Sequence, residues 1–193
     1  MGHKLRNSGI DIIGHISWGK HFCQFYHTKK DLIEILVPYF TAGLKSNESC
    51  VWVTSGSLNG EAAKKALKGK LKNSDEFIKK GQLEIYDFRQ WYTQSGKFDS
   101  EKVLSKWIEK EKQALKKGFD GLRLSGNTFW LEKKEWKDFS DYEATINHII
   151  DGHRMLAVCT YSLDKCTASE IIDVVNNHQY ALIKQEGRWK LIQ

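Results

Sequence analysis

The stretch His21-Phe22-Cys23-Gln24-Phe25-Tyr26 decides the fold. It is an apolar, aromatic run of the kind that forms a buried first strand. Side chains alternate along a strand, so His21, Cys23 and Phe25 share one face, while Phe22, Gln24 and Tyr26 share the other. An imidazole and a thiol on one face, beside aromatic rings, form a pair able to hold a metal or a small ligand. The chain then passes through His27-Thr28-Lys29-Lys30 into a long amphipathic segment. A nucleotide-binding α/β protein places its glycine-rich phosphate loop at such a turn. No glycine stands there, which suggests a nucleotide-binding architecture without the nucleotide machinery.

Downstream, apolar positions recur at helical spacing through Leu32, Ile35, Leu36, Tyr39 and Phe40, predicting a helix over residues 31–44 with Pro38 inside it. Gly43 and Asn47 mark its end. Cys50-Val51-Trp52-Val53-Thr54 is a continuous apolar run, as in a strand buried on both faces. A turn at Ser55-Gly56-Ser57 leads to a helix over 59–68 and a short one over 75–80. Leu83-Glu84-Ile85-Tyr86 is a third strand, followed by a loop-like segment with Trp91 and Tyr92. Ser100 is read as the cap of a helix running to 117. Leu122-Arg123-Leu124 is a short fourth strand opening onto Ser125-Gly126-Asn127-Thr128-Phe129-Trp130. A helix over 139–150, a strand over 154–161 and a helix capped by Thr167 follow. Residues 180–184 and 189–192, joined by Glu186-Gly187, read as a hairpin.

Alternating strands and helices predict a three-layer α/β/α domain with a mostly parallel central sheet and the C-terminal antiparallel hairpin at an edge. The 193 residues suit a single domain, with 1–17 expected as a flexible or loosely packed N-terminal segment. Hydrophobic residues make 40% and charged residues 28%, which excludes a disordered chain. No apolar run approaches the roughly 20 residues that span a bilayer, and no signal peptide pattern opens the chain, so a cytoplasmic protein is expected. The net charge of +6 is spread as lysines among glutamates on helix faces, so no direct nucleic-acid binding is expected. Four cysteines (Cys23, Cys50, Cys159, Cys166) without CxxC spacing read as reduced thiols, three of them in strands.

A Walker A loop, a Gly-x-Ser-x-Gly elbow and a His-Glu-x-x-His helix are all absent from the sequence, so no ATP hydrolysis is expected. His21 and Cys23 are joined elsewhere by His153, Cys159 and His178, donors that suit zinc or another borderline metal. No pair has recognised metal spacing, so ordinary core packing competes with that reading. Trp91, Phe129 and Trp130 fall at the carboxyl ends of strands, where open α/β sheets bind ligands. Arg123, in a buried strand, needs a counter-charge. Glu143 on the following helix is the expected partner.

The motif His21-x-Cys23-x-Phe25-Tyr26, then Asp31-Leu32, Val37-Pro38-Tyr39-Phe40-x-x-Gly43-Leu44 and Glu48-x-Cys50-Val51-Trp52-Val53-Thr54, resembles the MEDS domain, the methanogen/methylotroph dichloromethane-regulator sensory domain. Arg123-Leu124-Ser125-Gly126 with Trp130, Phe139-x-x-Tyr142-Glu143, Cys159-Thr160-Tyr161 and His178 extend the resemblance over nearly the whole chain. It implies a RecA/KaiC-like core without a phosphate loop that senses small hydrocarbon derivatives or C1 compounds. It also implies ligand-binding positions at His21, Cys23, Tyr26, Arg123, Trp130, Glu143 and His178, with His21 and Cys23 as metal ligands should the cofactor be a metal ion.

The leading expectation is a non-catalytic sensory domain. A small-molecule ligand would sit at the strand ends, and a separate regulatory or signalling protein would read the bound state. The alternative is a degenerate ATPase-like assembly module that forms a homo-oligomer. A third reading makes Cys23 a nucleophile activated by His21.

Overall fold

The computed structural model describes residues 5–193 apart from 55 and 57. The turn expected at Ser55-Gly56-Ser57 therefore lies largely outside the described residues. Among the described residues the main sheet has the order β5-β4-β6-β7-β3-β8-β9. Its strands are β3 (Lys20–Tyr26), β4 (Ser49–Thr54), β5 (Leu83–Asp87), β6 (Leu122–Asn127), β7 (Met155–Ser162), β8 (Tyr180–Gln185) and β9 (Arg188–Ile192). All neighbours are parallel except β8 and β9, which form the expected edge hairpin. Both hairpin turn residues, Glu186 and Gly187, have positive φ, as a type I′ turn requires.

Helices α1 (Lys29–Lys45), α2 (Gly60–Lys70) and α3 (Ser74–Lys79) cover one face of this sheet. The other face carries α4 (Phe88–Trp91), α5 (Ser100–Lys116), α6 (Trp136–Ile149) and α7 (Ala168–Asn176). Connections leaving β3 and β4 run one way along the sheet, and those leaving β5, β6 and β7 run back on the opposite face. Opposite directions on opposite faces give both sets the same hand, in keeping with the general rule that such crossovers are right-handed. The result is a RecA/KaiC-like three-layer α/β/α fold.

Alternation sorts the two cores. Phe22, Trp52, Leu156 and Val158 face α1, whereas Cys23, Val53, Leu124, Ala157 and Cys159 face α5 and α6. Strand β6 is longer than the apolar run suggests, because Arg123, Ser125 and Asn127 alternate as buried polar residues on the α1 face. Helix α1 stays continuous through Pro38 and ends at Lys45, and Asn47, just past the Ser46 cap, takes the left-handed φ of 56° common beyond helix ends. The segment with Trp91 and Tyr92, expected as a loop, is a one-turn helix closed by an Asp87–Gln90 capping box, and both rings are buried.

The N-terminal stretch is not loosely packed from Leu5 onward. Strand β1 (Arg6–Asn7) pairs antiparallel with β2 (His15–Ile16), Ile10 and Ile16 enter the core, and Ser8 is fully buried. Polar contacts hold it in place. Arg123 donates through its two terminal nitrogens to the carbonyls of Ser8 (2.9 Å), Asn7 (2.9 Å) and Tyr39 (2.8 Å). Such long-range bonds leave no periodic trace in sequence.

Candidate functional site

Helix α6 buries Phe139, Tyr142, Glu143 and Ile146 at the i, i+3, i+4, i+7 spacing of a core-facing stripe. A carboxylate in the middle of that stripe must find polar partners or go uncompensated. It finds them on the sheet. His21, second residue of β3, places Nε2 3.2 Å from Glu143 Oε2. His178, just past α7, places its own Nε2 3.1 Å from the same oxygen. Cys159 of β7 brings Sγ to 3.5 Å from His21 Nε2 and 3.7 Å from Glu143 Oε1. The two imidazole rings lie 4.0 Å apart. One ligating atom from each of the four residues lies within 4.8 Å of every other, and all four residues are buried.

The electrostatics follow from burial and proximity. Burial alone would push the Glu143 carboxyl up, but the two imidazoles beside it win and its pKa falls to about 2. Burial pushes His21 down, with His178 adding to the effect and Glu143 opposing it, to about 4. At neutral pH, His21 is thus a neutral imidazole and Glu143 a carboxylate. Burial, then the charge of Glu143, pushes the Cys159 thiol well up. His178 Nδ1 lies 2.7 Å from the Val174 carbonyl. Its N–H must donate there, which leaves Nε2 as the nitrogen turned to the cluster. Although His178 Nε2 and Glu143 Oε2 are close, their alignment is off, and neither atom has a well-formed hydrogen bond.

A cavity of about 20 Å³ adjoins His21 and Cys159. Its walls are almost entirely apolar, with Trp107, Ile146, Met155 and Ala157 among them. It sits between the sheet and helices α5 and α6, with His153 also on its wall. His153 is held apart from the cluster by Glu111, whose Oε2 lies 2.6 Å from Nδ1.

The remaining sequence-derived positions scatter. Cys23 shares the face of His21 and pairs in register with Cys159, but the compact ligand set contains Cys159 in its place. Tyr26 points to the opposite face, where Asn127 Nδ2 approaches its hydroxyl at 3.4 Å. Arg123 also lies on that face. Its partner is Glu48, whose Oε2 accepts from Nε at 2.5 Å, and not Glu143. The expected pairing fails because Arg123 and Glu143 lie on opposite sides of the sheet. Glu48 also takes the Nε–H of Arg6 at 3.0 Å.

Trp130 stacks on Tyr92 with ring centres 5.1 Å apart, inside an aromatic group with Phe98 and Phe139. The Tyr92 hydroxyl packs against Gly126 so closely that a Cβ there would meet it at 2.1 Å. The set His21–Glu143–Cys159–His178 therefore lies within the sheet–helix layer, near the start of β3, rather than at the strand ends. A carboxylate and a thiol on core-facing positions were the available sequence signals for it.

The strand-end crevice is built differently. At the β3–α1 turn the Asp31 carboxylate accepts the N–H groups of Thr28 (2.9 Å) and His27 (3.3 Å). Lys184 Nζ donates to Asp31 as well, at 3.1 Å. The chain's own carboxylate thus occupies the helix N-terminus at which a phosphate loop would present amides to an anion. Next to it, at the ends of β6 and β7, a 460 Å³ hollow is lined by Phe129, Lys133, Trp136 and Lys165, with the Lys165 ammonium 3.7 Å above the Phe129 ring. Among the described residues, no helix is long and apolar enough to cross a membrane.

Comparison with known proteins agrees with this architecture. No curated protein matches the chain. Among solved structures, a KaiC-like protein from the hyperthermophilic archaeon Pyrococcus horikoshii superposes with a TM-score of 0.59 at 15% identity, covering 98% of this chain and 86% of that one. That likeness concerns the fold alone. A family profile described as "MEthanogen/methylotroph, DcmR Sensory domain" matches residues 20–179, a span that includes all four clustered residues. The chain therefore belongs to the MEDS family of sensory domains.

Proposed function

We propose that the protein senses a small, weakly polar organic molecule, a C1 compound or other simple hydrocarbon derivative, without turning it over, and that it acts in the cytoplasm. The observation that carries this reading is the apolar cavity abutting the His21–Cys159 edge of an otherwise buried polar cluster. A space of about 20 Å³ exceeds the 10–15 Å³ or so that one water needs and falls far below the roughly 150 Å³ that admits benzene. It therefore selects for molecules of very few heavy atoms. Apolar walls with a few convergent polar groups are the usual make-up of a small-molecule site. The self-capped α1 N-terminus argues against a nucleotide triphosphate as the ligand.

The signal would leave through α6, α7 and the edge hairpin. The site ties β3 and β7 to Glu143 on α6 and to the α7–β8 connection, so filling it favours one arrangement of these elements over another. A separate regulatory protein reading that surface completes the path. The test is calorimetry and thermal unfolding with a panel of halogenated and methylated C1 compounds. Saturable binding that raises the melting temperature supports the reading. No heat and no shift across the panel, with the chain folded, refutes it.

A further inference from the structure

Four side chains from four separate elements converge on one point inside the fold. His21 comes from β3, Glu143 from α6, Cys159 from β7 and His178 from the α7–β8 connection. Metal–ligand bonds of about 2.0–2.1 Å to nitrogen and oxygen and about 2.3 Å to sulfur give a tetrahedron with edges of about 3.3 Å between N and O and about 3.6 Å between N and S. Three of the six edges match, 3.2 and 3.1 Å from Glu143 Oε2 to the two imidazole nitrogens and 3.5 Å from Cys159 Sγ to His21 Nε2, and every pair lies within 4.8 Å.

Two further observations point to an occupant. Glu143 Oε2 and His178 Nε2 are fully buried and lack hydrogen-bond partners, even though they face each other at contact distance. Buried polar atoms are normally satisfied, so their alignment fits a third party between them better than a direct bond. The His178 ring is also fixed from behind by its Nδ1–H bond to the Val174 carbonyl, the outer contact that typically orients a ligating histidine.

We infer that His21 Nε2, Glu143 Oε2, Cys159 Sγ and His178 Nε2 bind one divalent, borderline transition-metal ion of the zinc type in tetrahedral geometry. Two imidazoles, one carboxylate and one thiolate suit such an ion better than calcium or magnesium, which prefer oxygen donors. Binding releases the thiol proton of Cys159 to solvent, and no electron is transferred. The set is closed to solvent, so the ion enters as the chain folds. The site deepens the sensory reading and rests on it for its role: the apolar cavity lies against two of the ligands, so a C1 molecule held there touches the ion's ligand shell.

The test uses the full chain without a histidine tag, purified under reductant from medium supplemented with Zn²⁺ and, separately, refolded with Co²⁺. The expected result is one metal per chain by elemental analysis, and a Co²⁺ form with a thiolate charge-transfer band. Cys159→Ser removes that band, whereas Cys23→Ser keeps it. Glu143→Gln weakens Zn²⁺ binding by more than about tenfold, the lower end of the loss seen when even an outer-shell partner is removed. Circular dichroism confirms that each chain scored is folded. A folded wild type holding well under one equivalent of either metal overturns the proposal, as does a charge-transfer band that survives Cys159→Ser. If the folded wild type holds no metal yet still responds to halomethanes, the metal falls and the sensory reading stands. If metal is bound and no C1 compound shifts the melting temperature, the sensory reading falls and the metal stands.

Discussion

Replacing Glu48 by Gln probes the buried charge hub that anchors the N-terminal strand. Glu48 and Arg123 are both fully buried, and the carboxylate also neutralises Arg6. Glu48→Gln is nearly isosteric, so little packing changes, yet it leaves Arg123 without its counter-ion, takes one of two carboxylates from Arg6 and turns an amide donor toward one of them. Breaking a buried pair by removing one partner costs about 3–5 kcal/mol. Arg6 keeps Asp120 at 2.9 Å and the Ser46 carbonyl at 2.7 Å, which places the expected loss near the lower end. In a chain of this length each kcal/mol moves the melting temperature by about 2–4 °C. The expected drop is thus about 6–12 °C, read by circular dichroism at neutral pH. Hydrogen exchange should quicken first at Asn7 and Ser8, whose carbonyls Arg123 holds. A fall of less than about 2 °C would refute the assignment of this hub as a stability determinant.

Four further outcomes are expected. Gly43→Ala should destabilise although alanine favours helix by about 1 kcal/mol, because the new Cβ would meet Arg123 Cδ and Nε at 2.8 Å; urea unfolding reads the sign. Tyr39→Phe should cost about 1–3 kcal/mol in the same assay, since the hydroxyl that serves the Leu156 (2.7 Å) and Leu124 (3.2 Å) carbonyls is lost from a fully buried site. Ala157→Val adds two methyl groups to a cavity the size of a water; it should cost about 1–3 kcal/mol and abolish any melting shift with C1 compounds while leaving metal content intact. Lys184 holds Glu34 below the usual carboxylate range, and donors from Thr28 and Lys184 overcome burial to do the same for Asp31. Depressed carboxyls stabilise above their unfolded pKa, so this contribution, about 1 kcal/mol, should hold from neutral pH to about 5 and fade below about 4. Lys184→Met should flatten that acid limb in a pH series of urea melts.

The sequence by itself determined the layer architecture. Continuous apolar runs of strand length at Cys50–Thr54 and in β7 read as strands covered on both faces, and helical stripes between them imply parallel pairing with crossovers. It also determined that the β3–α1 turn has no phosphate loop, since that depends on local glycines. What only the tertiary structure decided is partnership. Arg123 and Glu143 both read as buried charges in need of a mate, and strand alternation sends one to each side of the sheet, so they cannot pair. In one dimension Cys23, and not Cys159, stands beside His21 as the candidate ligand. The parallel register sets Cys159 opposite Cys23, and it is side-chain packing beneath α6 that brings Cys159 Sγ to 3.5 Å from His21 Nε2. Local periodicity encodes which face a side chain takes, but the meeting of residues 21, 143, 159 and 178 depends on how four elements stack, and no local pattern records that distance.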